Sequence, residues 1–322
     1  MPQPYTQFKL ATSIGDTMLT TNLENNLKTF LDWCFLGIGG FVNVSRPTPS
    51  SFGGSFDTLY LSNDRAYTSG TVFETIRKDW IWETGVSYSG ISPIAISGVY
   101  VNGTLATTGD ATYGHYYDYA NGRVVFNSGI PAAIQATGIT MDYSYRTVQV
   151  YKDGDADWFR ELQQRSLRPG DSQWTNTHIS GDYAVSPQHR IQLPAIIIKS
   201  IKTNSTPYEM GNGTLWVKQD VMFNIVADNA SDRDRLKDIL ISEEGHNIWL
   251  YDTDTVHASG LTPIDYRGML INTTGIYSYL VDTFPMTKCM FDMCEASEVE
   301  SVHPNLYEAK VRITCEVALS AF

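Results

Sequence analysis

From Leu306 to Leu319 the chain reads LYEAKVRITCEVAL. Every second residue from Tyr307 through Ala309, Val311, Ile313, Cys315 and Val317 to Leu319 is apolar or small, while Glu308, Lys310, Arg312, Thr314 and Glu316 fill the gaps. Side chains alternate across a strand, so this is one long half-buried β-strand. Leu215 to Asp228 repeats the pattern: Leu215, Val217, Val221, Phe223, Ile225 and Ala227 alternate with Trp216, Lys218, Asp220, Met222, Asn224 and Asp228, and only Gln219 interrupts the inner face. Two such strands anchor one antiparallel sheet. Both exceed the usual five or six residues, and a long strand with a continuous polar face is more surface than a compact domain needs. The pattern is architecture for assembly rather than for catalysis.

The chain has 322 residues, enough for about two domains, each with its own core. Hydrophobic residues make up 42% and aromatics 12%, which excludes the disordered class. With 23 Lys and Arg against 35 Asp and Glu the net charge is -12, and no basic cluster of the kind that neutralises phosphates is present. Such a surface stays soluble and repels DNA rather than gripping it. The opening MPQPYTQFKL carries no secretory pattern, and the longest apolar stretch, Cys34 to Val44, is far short of the ~20 residues that span a bilayer. The four cysteines, Cys34, Cys289, Cys294 and Cys315, read as buried free thiols and favour a reducing site of folding; Cys289 and Cys294 lack zinc-knuckle spacing. The sequons at Asn102, Asn204, Asn212, Asn229 and Asn272 then mark turns rather than glycans.

Leu19 to about Leu36 is an amphipathic helix with Leu23, Leu27, Phe30, Leu31 and Cys34 on one face, followed by a Gly/Pro/Ser-rich loop from Gly39 to Gly54. From Phe56 to Tyr151 short strands alternate with turn signals. Asn102-Gly103 and Asn121-Gly122 mark two hairpins, because tight hairpin turns need positive φ, and Thr140 to Tyr151 reads as the closing strand. Asp157 caps a helix carrying Trp158, Phe159, Leu162 and Leu167 up to the break at Pro169-Gly170, and a polar stretch follows from Asp171 to Pro187. Beyond Ile191 come a strand at Ile196 to Ile198, the strand from Leu215, a helix over 232–243 capped by Ser231, and strands at Asn247–Tyr251, Tyr266–Ile271 and Met286–Glu295 before the terminal one. The expected fold class is α+β and β-rich. Residues 1–151 form an N-terminal antiparallel β domain with one amphipathic helix, 152–190 a helical connector and loop, and 191–322 a C-terminal α+β sandwich with a helix packed on an antiparallel sheet.

Three groups carry candidate chemistry. Asp153-Gly-Asp155-Ala-Asp157 opens like a calcium loop, but Trp158 stands where glycine belongs and Gln164 where the closing acid belongs, so it reads as the acidic first turn of a helix. His246 and His257 flank a strand with Asp252 and Asp254 between them, without recognised ligand spacing. His115 lies among Tyr113, Tyr116, Tyr117 and Tyr119, either a sugar-stacking platform or ordinary strand tyrosines. No nucleophile elbow, phosphate loop, zincin motif or dinucleotide fingerprint is present. No catalytic, cofactor-binding or metal-ligating residue is assigned.

GVYVNGT (98–104), YDYANGRVVF (117–126), YSYRTVQVY (143–151) and DVMFNIVADNASDRDRLKDIL (220–240) together resemble virion structural proteins of tailed bacteriophages, those of the neck where head meets tail. The order strand, capped helix, strand from Val221 to Tyr251 with the closing strand Tyr307 to Leu319 is similar to tail-terminator and connector domains. The resemblance implies a closed homomeric ring, hexameric or dodecameric, around the DNA channel at the head-tail junction or tail end, and no enzyme activity. Implied partners are further copies of the chain, the portal or connector, tail tube or sheath proteins, and DNA passing through the lumen without sequence-specific binding, with no membrane. The implied location is the virion, assembled in the host cytoplasm. The alternative is a carbohydrate- or receptor-binding virion module resting on the Tyr113 to Tyr119 cluster, and the third reading is a hydrolase built on His246, His257 and Asp252.

Overall fold

The structure is a computed structural model and describes residues 19–46, 56–62, 64, 66–83, 85–156, 158–159, 176–177, 182–186, 189–207, 215–265, 267–299 and 306–319. In chain order the elements are α1 (Leu19–Gly37), β1 (Phe41–Val44), β2 (Thr58–Leu61), β3 (Val72–Glu74), β4 (Val99–Val101), β5 (Thr104–Ala106), β6 (His115–Asp118), β7 (Arg123–Phe126), α2 (Ala132–Thr137), β8 (Ile139–Thr140), β9 (Tyr143–Arg146) and β10 (Gln149–Lys152). There follow β11 (Asn176–Thr177), β12 (Asp182–Ser186), β13 (His189–Gln192), β14 (Ala195–Pro207), β15 (Leu215–Ala227), α3 (Ala230–Ile241), β16 (Asn247–Tyr251), α4 (Thr253–Ala258), α5 (Tyr277–Thr283), β17 (Pro285–Val299) and β18 (Tyr307–Leu319). The chain is thus β-rich with antiparallel sheets and a few helices, an α+β fold.

The two alternating stretches pair with each other without a register break, from Leu215 opposite Leu319 to Ala227 opposite Tyr307. They form the centre of a six-stranded sheet ordered β10-β14-β15-β18-β17-β16, antiparallel except where β10 joins β14. Its inner face carries Val221, Phe223, Ile225, Ile313, Cys315 and Val317, all buried in one core with side chains of α1, α3, α4 and α5. Gln219 lies fully buried in the same row.

Local chemistry moved several boundaries. α3 starts before Ser231 because the Asn229 side chain accepts from the Asp232 amide at 2.8 Å, taking the cap position. Of the expected strand Tyr266–Ile271, the described residues 267–271 form no strand: the Asp265 carboxylate accepts from the Arg267 amide at 2.8 Å and the Met269 amide at 2.9 Å, which closes a turn. Gly268, at φ +77°, approaches Asp118 so closely that no Cβ would fit, and its carbonyl accepts from the Tyr119 amide at 2.9 Å. Asn204 stands inside β14 rather than in a turn, and Asn212 lies outside the described residues.

The N-terminal half builds a seven-stranded antiparallel sheet ordered β5-β4-β8-β2-β3-β7-β6 over a core that includes Phe73, Trp80, Val124, Met141 and Tyr143. Asn102 (φ +52°) and Gly103 (φ +77°) make the tight turn between β4 and β5 as expected. The second hairpin, β6 to β7, also forms, but its loop is longer: Asp118 accepts from the Asn121 amide at 3.1 Å and its side-chain nitrogen at 2.7 Å, so only Gly122 is left-handed. Trp158 and Phe159 are buried against Ala195, Ile197 and Val226 at one end of the six-stranded sheet's outer face. Asp157, Leu162, Leu167 and Pro169-Gly170 lie outside the described residues, and within Asp171 to Pro187 the described pieces are β11 and β12, which form a three-stranded sheet with β13 in which β12 is central.

Two N-terminal elements pack with the C-terminal sheet instead of the domain to which sequence assigned them. Leu23, Leu27, Phe30, Leu31 and Phe35 of α1 share one core with Ile196, Phe223 and Phe291. The side chain of Asn26, fully buried, accepts from the Tyr251 amide at 2.8 Å and donates to its carbonyl at 3.0 Å, which docks α1 on the end of β16. The expected closing strand Thr140 to Tyr151 is divided: β9 pairs with β1, whereas β10 runs parallel to β14, with Gln149 opposite Ala195. Period-two alternation says that a segment is a strand and which face is buried; it does not name its partner.

Arg146, at the end of β9, sits where these units meet. Its guanidinium is 6% exposed and pairs with Asp79 at 2.9 Å, with Glu83, and with Asp32 of α1 at 3.8 Å, while Lys28 reaches Asp32 at 2.9 Å. Burial alone would discharge Arg146, but Asp79, Glu83 and Asp32 more than offset that and hold its pKa above the ordinary range; burial pushes the Glu83 carboxyl up against the pull of Arg146. Removing the cation leaves buried carboxylates unpaired. Arg146→Met is therefore expected to lower stability by about 3 kcal/mol or more in urea titration, and Arg146→Met with Glu83→Leu to recover part of that loss; an unchanged midpoint for the single variant refutes the assignment.

Candidate functional site

The residues with candidate chemistry do not come together. Asp153 and Asp155 lie in a short 3₁₀ turn, Asp153 within 3.4 Å of Lys199 and Asp155 within 3.5 Å of Lys152. His246 and His257 flank opposite ends of β16. His246 engages Glu243 and lies edge-on to Phe30, whereas His257 faces Thr262 at 3.4 Å. Asp252 caps α4, accepting from the Asp254 and Thr255 amides at 3.0 and 3.2 Å. A hydrolytic reading would need these three to share one site, and each is engaged locally instead. Among the described residues no three His, Cys, Asp or Glu side chains group as a metal-ion site, and no helix is long and apolar enough to cross a membrane.

His115 is buried. Its Nδ1 lies 2.7 Å from the Tyr113 carbonyl and its Nε2 3.0 Å from the Tyr117 hydroxyl, which fits a neutral ring donating to the carbonyl and accepting from the phenol. Burial lowers its pKa, against the pull of the Tyr113 carbonyl and Asp110, and raises those of Tyr117 and Tyr119. Tyr119 packs edge-on to Trp80 at 6.3 Å and Tyr117 to His115 at 5.0 Å. The cluster is part of the core beneath β6 and β7, with Tyr113 and Tyr116 half-buried, and not a row of open rings. A base whose folded pKa is depressed contributes stability above its ordinary value and loses it as the pH falls. Stability of the N-terminal unit is expected to drop as pH is lowered below about 6.5, and His115→Gln to flatten that slope; equal slopes in both proteins rule the explanation out.

Of the cysteines, Cys289 and Cys315 are buried in the sheet core, Cys294 is half-buried, and Cys34 lines an apolar cleft of about 660 Å³ between α1, Gly85 to Ser87 and α3. All four are free, and burial, with Glu243 nearby, pushes the Cys34 thiol up to about 12, far from a nucleophile's range.

The largest chemically organised surface is the outer face of the six-stranded sheet, which sequence reading marked only as polar. α1, α3, α4 and α5 pack on the opposite, inner face, and among the described residues the helical pair Trp158–Phe159 covers only the end of the outer face at Ala195, Ile197 and Val226. Across β15, β18 and β17 the face carries paired charges. Lys218 bonds Glu316 and lies 3.4 Å from Asp292; Arg312 reaches Asp220 at 2.6 Å and Glu295 at 3.6 Å; Thr314 donates to Asp220 at 2.8 Å. These pairs follow from the register, which sets Lys218 opposite Glu316 and Arg312 opposite Glu295. Each cation is shared by two carboxylates, so this cluster keeps part of the chain's acidic excess.

The same strands run past the core. Lys199 and residues 201–207 of β14 are exposed on both faces, as are Asp292, Met293 and residues 295–297 of β17. Exposed apolar side chains, Ile201 at 46% and Met293 at 37%, stand on these extensions. No protein-family model matches the chain, and no curated protein matches it.

Proposed function

We propose that this chain is a structural component of a tailed-phage virion that assembles into a homomeric ring at the head-tail junction or tail end. The observation that carries the reading is the pair of strand extensions in β14 and β17, which leave the core with both faces in solvent. Exposed strand of that length costs conformational entropy and invites aggregation unless another chain completes it. The outer face of the sheet supports the same reading, since Lys218 and Arg312 are each engaged by two carboxylates and leave no basic patch to grip a polyanion, which suits a wall past which DNA moves. The resemblance of Val221 to Tyr251 and Tyr307 to Leu319 to tail-terminator and connector domains supplies the position in the particle.

In this reading the C-terminal unit of 191–322, completed by α1 and β10, is the ring-forming body, and the seven-stranded sheet of the N-terminal half is presented to a neighbouring portal, connector, tube or sheath protein. The protein catalyses nothing, and DNA passes without sequence-specific contact. Its place is the virion, after assembly in the host cytoplasm.

Light scattering after size-exclusion chromatography, with negative-stain images of the same fraction, tests the reading. The expected result is a hexamer or dodecamer seen as an annulus, either for the purified chain or for the particle that contains it. A monomer at every concentration, together with particles lacking annular density for this chain, refutes it.

A further inference from the structure

The two strand extensions are free on opposite edges of the sheet. β10 pairs with β14 only from Ala195 to Ile198, and beyond it the Ser200 amide donates to the Glu24 carboxylate of α1 at 3.0 Å, so from Ile201 to Pro207 the outer edge of β14 has no strand beside it among the described residues. β16 pairs with β17 only as far as Met290, with two further links at Phe291, whose amide donates to the His246 carbonyl at 3.0 Å and whose carbonyl accepts from the Gly245 amide at 2.7 Å, and from Asp292 to Val299 the outer edge of β17 has no strand beside it among the described residues. We propose that the β14 edge of one copy pairs with the β17 edge of the next, so that the six-stranded sheet continues from subunit to subunit. The inference rests on the ring reading and names the surfaces that make the ring.

Direction supports it. Successive antiparallel pairings run β14 to β15, β15 to β18 and β18 to β17, so β14 and β17 point opposite ways within one sheet. A neighbour placed by rotation, with its strands kept in the same sense, therefore meets β14 with an antiparallel β17. Stagger supports it too. Following the register across the sheet, Ala195 is level with Val226, Glu308 and Val299. Bringing the neighbour's Val299 to Lys199 requires a slide of about four residues, or ~14 Å at ~3.4 Å per residue.

With that slide the short strands interlock. β10 ends where the neighbour's β17 ends, and the neighbour's β16 lies beyond Pro207, so the repeat is four strands or ~19 Å wide. A constant slide of ~14 Å over ~19 Å tilts the strands by about 36°, within the roughly 35–45° of closed sheets. The interface is heterologous, as a ring requires.

Charge chooses this partner over a like edge. Residues 199–207 include Lys199 and Lys202 and no acid, whereas 292–299 include Asp292, Glu295 and Glu298 and no base. Two β14 edges, or two β17 edges, would oppose like charges, which destabilises a cross-strand pair. In the mixed pairing Lys202 and Glu295 share the outer face one diagonal step apart.

A cysteine pair tests the contact. Lys202→Cys and Ser297→Cys in a Cys294→Ser background stand on exposed positions of strands three apart in one sheet, ~14 Å across, too far for a disulfide within a copy. Mild oxidation of the purified protein is expected to give a ladder of covalent oligomers ending at the ring size, while each single variant stays largely monomeric on a denaturing gel. An annular assembly by light scattering with no ladder overturns the edge pairing and leaves the ring reading standing. Dimers from the Lys202→Cys variant alone overturn it in favour of a two-fold contact. A monomer with no ladder removes both.

Discussion

Arg146 is the constraint on which the arrangement of the chain depends. A buried guanidinium must be met by carboxylates, and the three that meet it come from α1 (Asp32) and from the loop before the seven-stranded sheet's closing strands (Asp79 and Glu83). Asp79 and Glu83 hold the guanidinium from within the N-terminal unit, and because α1 is itself seated in the core of the six-stranded sheet, the longer 3.8 Å approach of Asp32 links that buried charge to the C-terminal sheet. Burial of an ion pair adds little net stability compared with apolar packing, whereas loss of one partner leaves the others as uncompensated buried charges.

Around that joint the molecule divides its surfaces by purpose. The inner face of the long sheet is closed by α1, α3, α4 and α5, and supplies the apolar burial that stabilises the fold. The outer face is finished with cross-strand ion pairs in which the buried carboxylates of Glu316 and Asp220 are met by Lys218 and Arg312. The edges are left open where β14 and β17 outrun β10 and β16. Polar groups elsewhere serve structure: His115 bridges the Tyr113 carbonyl and the Tyr117 hydroxyl, Asp252 and Asn229 cap helices, and Asp118 braces a hairpin loop.

Much of this was legible in the residues. The alternation of Leu215 to Asp228 and Leu306 to Leu319 fixed two strands to within a residue, and Asn102-Gly103 fixed a turn, because side-chain period and positive-φ tolerance are local properties of the backbone. Boundaries moved where a side chain reached a backbone amide that a nearby competitor had also offered to bond, as at Asn229 in place of Ser231, or where an Asp-centred turn displaced a weak strand pattern, as at Asp265. The open edges were not legible, because an unpaired strand and a paired one carry the same alternation.

What the sequence determined by itself, then, is which segments are strands and helices, which face of each is apolar, and that no known catalytic spacing is present, since these depend on neighbours within a few positions. Only the tertiary structure decided that α1 and β10 pack with the C-terminal sheet, that Arg146 gathers Asp32, Asp79 and Glu83, and that Ile201 to Pro207 and Asp292 to Val299 lie on opposite edges with no strand beside them among the described residues. Partner choice is a competition among distant segments for the same hydrogen bonds and the same apolar surface, and its outcome is a property of the whole chain.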